Sequence, residues 1–301
     1  MKKKILQSEW FWGYLFIAPL TLGVLIFFVG PIFYSFFMSL MRWDILTPPK
    51  FIGLQNFRTL LTDAQIAREF RNTLYLAVGT VPTTLILSVL LADALNQKIR
   101  GKIVYRTIYF LPTVTMAVAV GTVWRWLFSS REGLVNLFLG SLHLPQPMWL
   151  ADPHFVMPAI IIVSVWSRLG YNMVILLAGL QEIPQTLYES AEIDGASKWS
   201  QFFNVTLPLL TPSLFFLLVT ALIGAFQMFD MIFVFAADRG GGIGDPFISA
   251  MSTMVYGIYQ RGFSLLRMGY ASAEAVLLFC IIMGVTAVQF IVQKRWVHYN
   301  S

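Results

Sequence analysis

Of 301 residues, 57% are hydrophobic, 15% aromatic and only 12% charged, with a mean hydropathy of +0.70, which excludes both a water-soluble globule and a disordered chain. One cysteine, Cys280, and three scattered histidines, His143, His154 and His298, leave no material for a disulfide framework or a Cys/His metal cluster. The net charge of +6 lies beside apolar runs and forms no aromatic-interleaved patch, so it marks membrane topology and not nucleic-acid binding.

A helix crossing a hydrocarbon core of roughly 30 Å needs about 20 apolar residues. No charge interrupts the chain between Glu9 and Arg42, and a first span is expected over 11–36. That run is about twice a signal-peptide core and no small-x-small cleavage site follows it, so it reads as an uncleaved helix. Further spans are expected over 73–95, over 107–128 (opened by Ile108-Tyr109-Phe110-Leu111), and over 155–180. The fifth, 213–236, and the sixth, 270–293, complete an all-α integral membrane protein of six transmembrane helices in one domain. Loops are expected near 41–72, 129–153, 182–212 and 237–269.

An even number of spans puts both termini on one side. The Lys/Arg totals of the two sides are equal, with Arg261 and Arg239 among the outer-loop charges. The dense segments, Lys2-Lys3-Lys4 and Lys98, Arg100, Lys102 and Arg106, favour cytoplasmic termini.

One cytoplasmic loop, 182–212, stands apart. Its Glu182, Glu189, Glu192 and Asp194 face a single Lys198, so the anionic leaflet repels it. Pro184 suits a first helical turn, Gly195 a helix terminator, and Ser197 the cap of a second short helix with Trp199, Phe202 and Phe203 on its apolar face. Pro208 and Pro212 are expected to end that helix before span five. A side chain at Gly195 is expected to wedge the two short helices apart. The sign of charge favours docking onto a cytoplasmic protein with a basic cleft over a plain connector.

Within this loop, Glu189-Ser190-Ala191, three residues, Gly195, nine residues, then Val205-Thr206-Leu207-Pro208 resembles the EAA loop of ABC importer permeases. The string Ala191–Ser197 is similar to the carbohydrate-uptake branch, the maltose- and glycerol-phosphate-type permeases. So are Phe51-Ile52-Gly53-Leu54-Gln55-Asn56-Phe57, Phe110-Leu111-Pro112 and Gly269-Tyr270-Ala271-Ser272-Ala273. Ser190 and Val205 depart mildly from the family's Ala and Ile. The resemblance implies the type I importer permease fold in a bacterial or archaeal cytoplasmic (inner) membrane. It also implies a second homologous permease, two ATPase subunits that hold ATP and Mg, and an extracytoplasmic solute-binding protein that delivers a sugar or oligosaccharide. Glu189, Ser190, Ala191, Asp194, Gly195, Leu207 and Pro208 are the residues it places at the ATPase.

This chain carries no cofactor motif of its own. Gly240-Gly241-Gly242-Ile243-Gly244 lacks the lysine of a phosphate-binding loop. No nucleophile–base arrangement appears, and Cys280 is expected to serve packing. Ionisable and polar residues inside spans are costly and face a cavity or a neighbouring helix. Arg168 and Asn172 in span four, Gln227 and Asp230 in span five and Glu274 in span six therefore form the candidate substrate path. Trp166, Tyr171 and Phe226 are candidates to cover sugar faces. The alternatives are that Arg168 and Asp230 sit at span ends, or pair with each other or with the partner permease, and that Glu274 pairs across subunits or is solvated at the membrane surface. The basic cluster at 98–106 reads as a topological anchor. Trp43, Phe51 and Phe57 in the 41–72 loop suit contact with a binding protein. The same fold moving a non-sugar solute, a self-contained secondary transporter and an intramembrane enzyme are the competing classes. Against the last two, the chain shows neither a repeat relating its halves nor paired catalytic groups at i, i+4.

Overall fold

A computed structural model describes residues 9–97, 99–237 and 245–297. Lys2, Lys3, Lys4, Lys98, Arg239, the 240–244 glycine run and His298 lie outside them. The chain divides into two compact units, one of residues 9–63 and 258–279, the other of 64–257 with 280–297.

In the first unit, α1 (Glu9–Ser39) is a 31-residue apolar helix, and none of its most apolar stretch is buried within the chain. At 1.5 Å per residue it is about 46 Å long, more than a bilayer core. Its fifth turn widens to a π-turn at Leu25–Val29 just before Pro31, whose ring nitrogen has no hydrogen to donate. The chain then forms a two-residue antiparallel pair, β1 (Met41–Arg42) with β2 (Lys50–Phe51), and a short helix α2 (Gln55–Thr62). Buried Asn56 donates through Nδ2 to the carbonyls of Ser39 (2.8 Å) and Met41 (2.9 Å), which satisfies the end of α1.

The second unit opens with α3 (Ala64–Asn96), 33 residues long. This helix begins nine residues before the span expected from 73. Next come α4 (Lys102–Val114) and α5 (Ala117–Leu127), bent by 102° at Thr115–Met116. The expected third span, 107–128, is therefore a broken pair. Among the described residues, five helices are long and apolar enough to cross, or six if this pair counts as one. Then follow α6 (Leu134–Ser141) and α7 (Pro153–Glu182), the latter started by Asp152, which accepts from the His154 amide. Gly170 of α7 sits so close to α4 that a Cβ there would fall 2.0 Å from the Tyr109 carbonyl oxygen. Two apolar clusters hold the unit, one around Leu76, Ile160, Val163, Ile232 and Phe247, the other around Ala92, Leu95, Met173, Leu176 and Leu217.

After α8 (Gln185–Ile193) and α9 (Lys198–Gln201) the chain stays helical through a π-turn at Phe202–Thr206 and on through Leu207–Leu209. Pro208 and Pro212 do not end it. Each stands in a first turn, where no amide hydrogen is required, so the chain bends and runs on into α10 (Thr211–Phe226). The remaining elements are α11 (Asp230–Ala236), α12 (Pro246–Met251), α13 (Met254–Tyr259) and α14 (Met268–Gln293). Cys280 is exposed rather than packed.

Candidate functional site

The second unit contains an open cavity of about 570 Å³, lined by Thr113, Arg168, Tyr171, Gln227, Phe229 and Asp230 among others. Two broken helices make it. One wall is the α4–α5 bend, where Thr115 leaves the helix at ψ 140°. The other is the step from α10 to α11 at Gln227–Phe229, where Phe229 has φ −130° and ψ −53°. A helix break frees backbone amides and carbonyls, which a membrane tolerates only inside protein or beside a cavity. The Thr253 hydroxyl covers one of them, the Met228 carbonyl, at 3.2 Å.

Arg168, near the middle of α7, reaches this cavity with its guanidinium laid against Gly224 of α10. A Cβ at Gly224 would stand 2.8 Å from Nη1 and 2.9 Å from Nη2. No hydrogen bond or ion pair engages Arg168 among the described residues, so the alternative of an Arg168–Asp230 pair is not formed. Of the five expected path residues, the structure brings Arg168, Gln227 and Asp230 to one cavity, with Tyr171. Asn172 is buried with Nδ2 unpaired among the described residues and does not line it. Trp166 stacks edge-on with Trp124, and Phe226 is buried in packing.

Glu274 is elsewhere, in the first unit. Its carboxylate is fully buried and accepts from Arg261 twice, Nε to Oε2 at 2.7 Å and Nη2 to Oε1 at 2.6 Å. The expectations of a solvated carboxylate or an inter-subunit pair give way to a bidentate pair within the chain, because a carboxylate at that depth must find its partner. Arg261, counted with the loop charges, is 3% exposed. The spacing of 13 residues across a turn matches no helical or strand period, so the pairing has no sequence signature. Nearby, Tyr270 donates to Asp63 at 2.7 Å, and a Cβ at Gly269 would fall 2.0 Å from the Met41 carbonyl oxygen.

A second candidate site is the 182–212 loop. No residue of α8 is buried. Gly195 follows it at φ +77°, its amide bonded to the Glu192 carbonyl and that of Ala196 to Ala191. Ser197 then caps α9 by accepting from the Ser200 amide, and Tyr188 and Thr206 hydroxyls meet at 3.0 Å. The result is a stiff helix–turn–helix. Its free face carries Glu189, Glu192 and Asp194 beside exposed Ile193 (86%) and Trp199 (71%), the latter stacked on Phe203. Nothing stands within 4 Å of a Cβ at Gly195, so the expected wedging does not arise within this chain. The glycine is required instead by its left-handed backbone.

Helices of this length, around a cavity opened at helix breaks, define a polytopic membrane protein. Residues 84–298 match the family of binding-protein-dependent transport system inner membrane components. The probable ABC transporter permease protein YesP of Bacillus subtilis is 35% identical over all of this chain and 96% of its own length. The sn-glycerol-3-phosphate transport system permease protein UgpA of Agrobacterium fabrum is 34% identical over 95% of this chain and 96% of its own. A chain of a bacterial alginate ABC transporter, solved with an alginate pentasaccharide-bound periplasmic protein, superposes over 97% of this chain and 96% of its own, with TM-score 0.84 and 24% identity. The chain belongs to the binding-protein-dependent transport system inner membrane component family. It is an ABC importer permease of the inner membrane, a transport subunit and not an enzyme, and it works with a binding protein.

Proposed function

We propose that the chain forms half of the translocation path of a sugar importer. A second, homologous permease supplies the other half, two ATPase subunits bind ATP and Mg on the cytoplasmic side, and an extracytoplasmic binding protein delivers the saccharide. Both termini face the cytoplasm. The relatives support a saccharide or polyol-derived solute, since one is a glycerol-phosphate permease and one structural neighbour is an alginate transporter. The observation that carries the mechanism is the exposed α8–Gly195–α9 element. A coupling element must be stiff and must make different contacts in two states of its partner, because a contact equal in both shifts nothing. The left-handed turn and the Ser197 cap supply the stiffness. The acidic and aromatic free face supplies the contact, with Glu189, Ser190, Ala191, Asp194 and Gly195 on it or at its turn and Leu207-Pro208 where the chain re-enters the membrane. In the cavity, Gln227 and Tyr171 provide an amide and a ring of the kind that read hydroxyls and cover sugar faces.

The test is purification of the complete complex and ATP-driven saccharide uptake at matched permease abundance. Gly195→Asp should leave the chain inserted and abolish uptake. Full uptake by that variant, or purification of the permease with no ATPase, would overturn the coupling assignment.

A further inference from the structure

We infer that the cavity is built for an anionic saccharide, one bearing a carboxylate or a phosphate, with Arg168 as the group that binds its charge; this rests on the sugar-import reading above. A cation near the middle of a membrane helix is costly and persists beside a cavity or a counter-charge. Arg168 has the cavity and, among the described residues, makes no ion pair or hydrogen bond, the Asp230 carboxylate lining the same cavity without contacting it. Its planar, forked guanidinium matches a carboxylate or phosphate with two parallel hydrogen bonds, which a neutral hydroxyl cannot accept equally well.

The placement is specific. Gly224 provides the bare backbone against which the guanidinium rests, and a Cβ there would push the guanidinium aside. Asp230 also lines the cavity and forms no ion pair with Arg168, so its oxygens are left to accept from sugar hydroxyls. Arg168 lies in mid-helix, away from either helix end. Thr113, Tyr171 and Gln227 complete the wall with neutral groups suited to the rest of a sugar.

The complete transporter with its binding protein, in proteoliposomes, tests this through stimulation of ATP hydrolysis by three probes: digalacturonate, glucose 1-phosphate and neutral maltose. An acidic probe should stimulate and maltose should not. Arg168→Gln should raise the half-saturating concentration of the acidic probe at least about tenfold, with Arg168→Lys intermediate. Gly224→Val should shift it in the same direction at preserved abundance. Stimulation by maltose that is indifferent to Arg168→Gln overturns the anionic assignment and leaves sugar import standing. Stimulation by no saccharide at any millimolar concentration overturns both. Loss of the second permease from purified Arg168→Gln complex would assign Arg168 to the subunit interface, and overturns the inference as well.

Discussion

Arg261 in the first unit and Arg168 in the second are both withdrawn from bulk water, and the chain around them treats them differently. Arg261 is closed off with Glu274 in a bidentate pair whose side chains are 4% and 0% exposed. Arg168 opens on a cavity with its guanidinium unengaged among the described residues. Both cost free energy to bury, but among the described residues only the first has that cost offset inside the chain. The difference separates architecture from function. A satisfied buried charge holds helices in register, whereas an unsatisfied one at a cavity is held for something that arrives from outside.

That contrast is most easily broken at Glu274. Glu274→Leu removes the carboxylate of the bidentate pair from beside buried Arg261 and should destabilise the protein by about 3–5 kcal/mol, seen as lost abundance and a lower unfolding midpoint in detergent. Pairing it with Arg261→Met should recover much of the loss. If the single variant is as stable as wild type, the pair is not structural. A smaller effect is expected at Tyr270, whose hydroxyl donates to Asp63 at 2.7 Å. Tyr270→Phe should cost about 1.5–3 kcal/mol in the same assay, since the bond is to a charged group. Smallest is Arg168→Met, which removes a charge that no described group satisfies. It should leave the unfolding midpoint within about 0.5 kcal/mol of wild type while abolishing uptake. A large stability loss there would reveal a structural partner and erase the distinction.

Much of this fold was legible because lipid imposes it. A charge-free run such as 10–41 has few alternatives to a membrane helix. The α8–Gly195–α9 element was legible for a local reason, since a left-handed glycine and a Ser cap act within five residues of their own position. What escaped was tertiary. The bend at Thr115–Met116 follows Pro112 by three residues, but proline alone does not signal a turn of 102°, as Pro19, Pro82 and Pro158 stay inside helices. The Arg261–Glu274 pair depends on a π-turn at Gln260–Ser264 and a left-handed Leu266, which no period reports. Several residues that carried the family resemblance prove structural. Asn56 closes the end of α1, Tyr270 ties α14 to Asp63, and Gly269 admits the Met41 carbonyl. Arg168 was visible as a lone charge in an apolar run, whereas Gly224, which seats it, had no signal of its own.

The bend between α4 and α5 has a consequence for biogenesis. Thirteen residues of α4 extend only about 20 Å, short of a bilayer core, and α5 leaves at nearly a right angle. Neither piece can reside in lipid alone, because the opened backbone at Thr115–Met116 needs protein around it. Residues 102–127 are therefore expected to insert stably only once α7 has been synthesised and Gly170 can seat against Tyr109. A nascent chain truncated before Pro153 should leave this segment extractable from membranes at alkaline pH, and one extended past Glu182 should lock it in. Partition of the third hydrophobic segment is then a property of two helices inserted together, and its own hydropathy only nominates it.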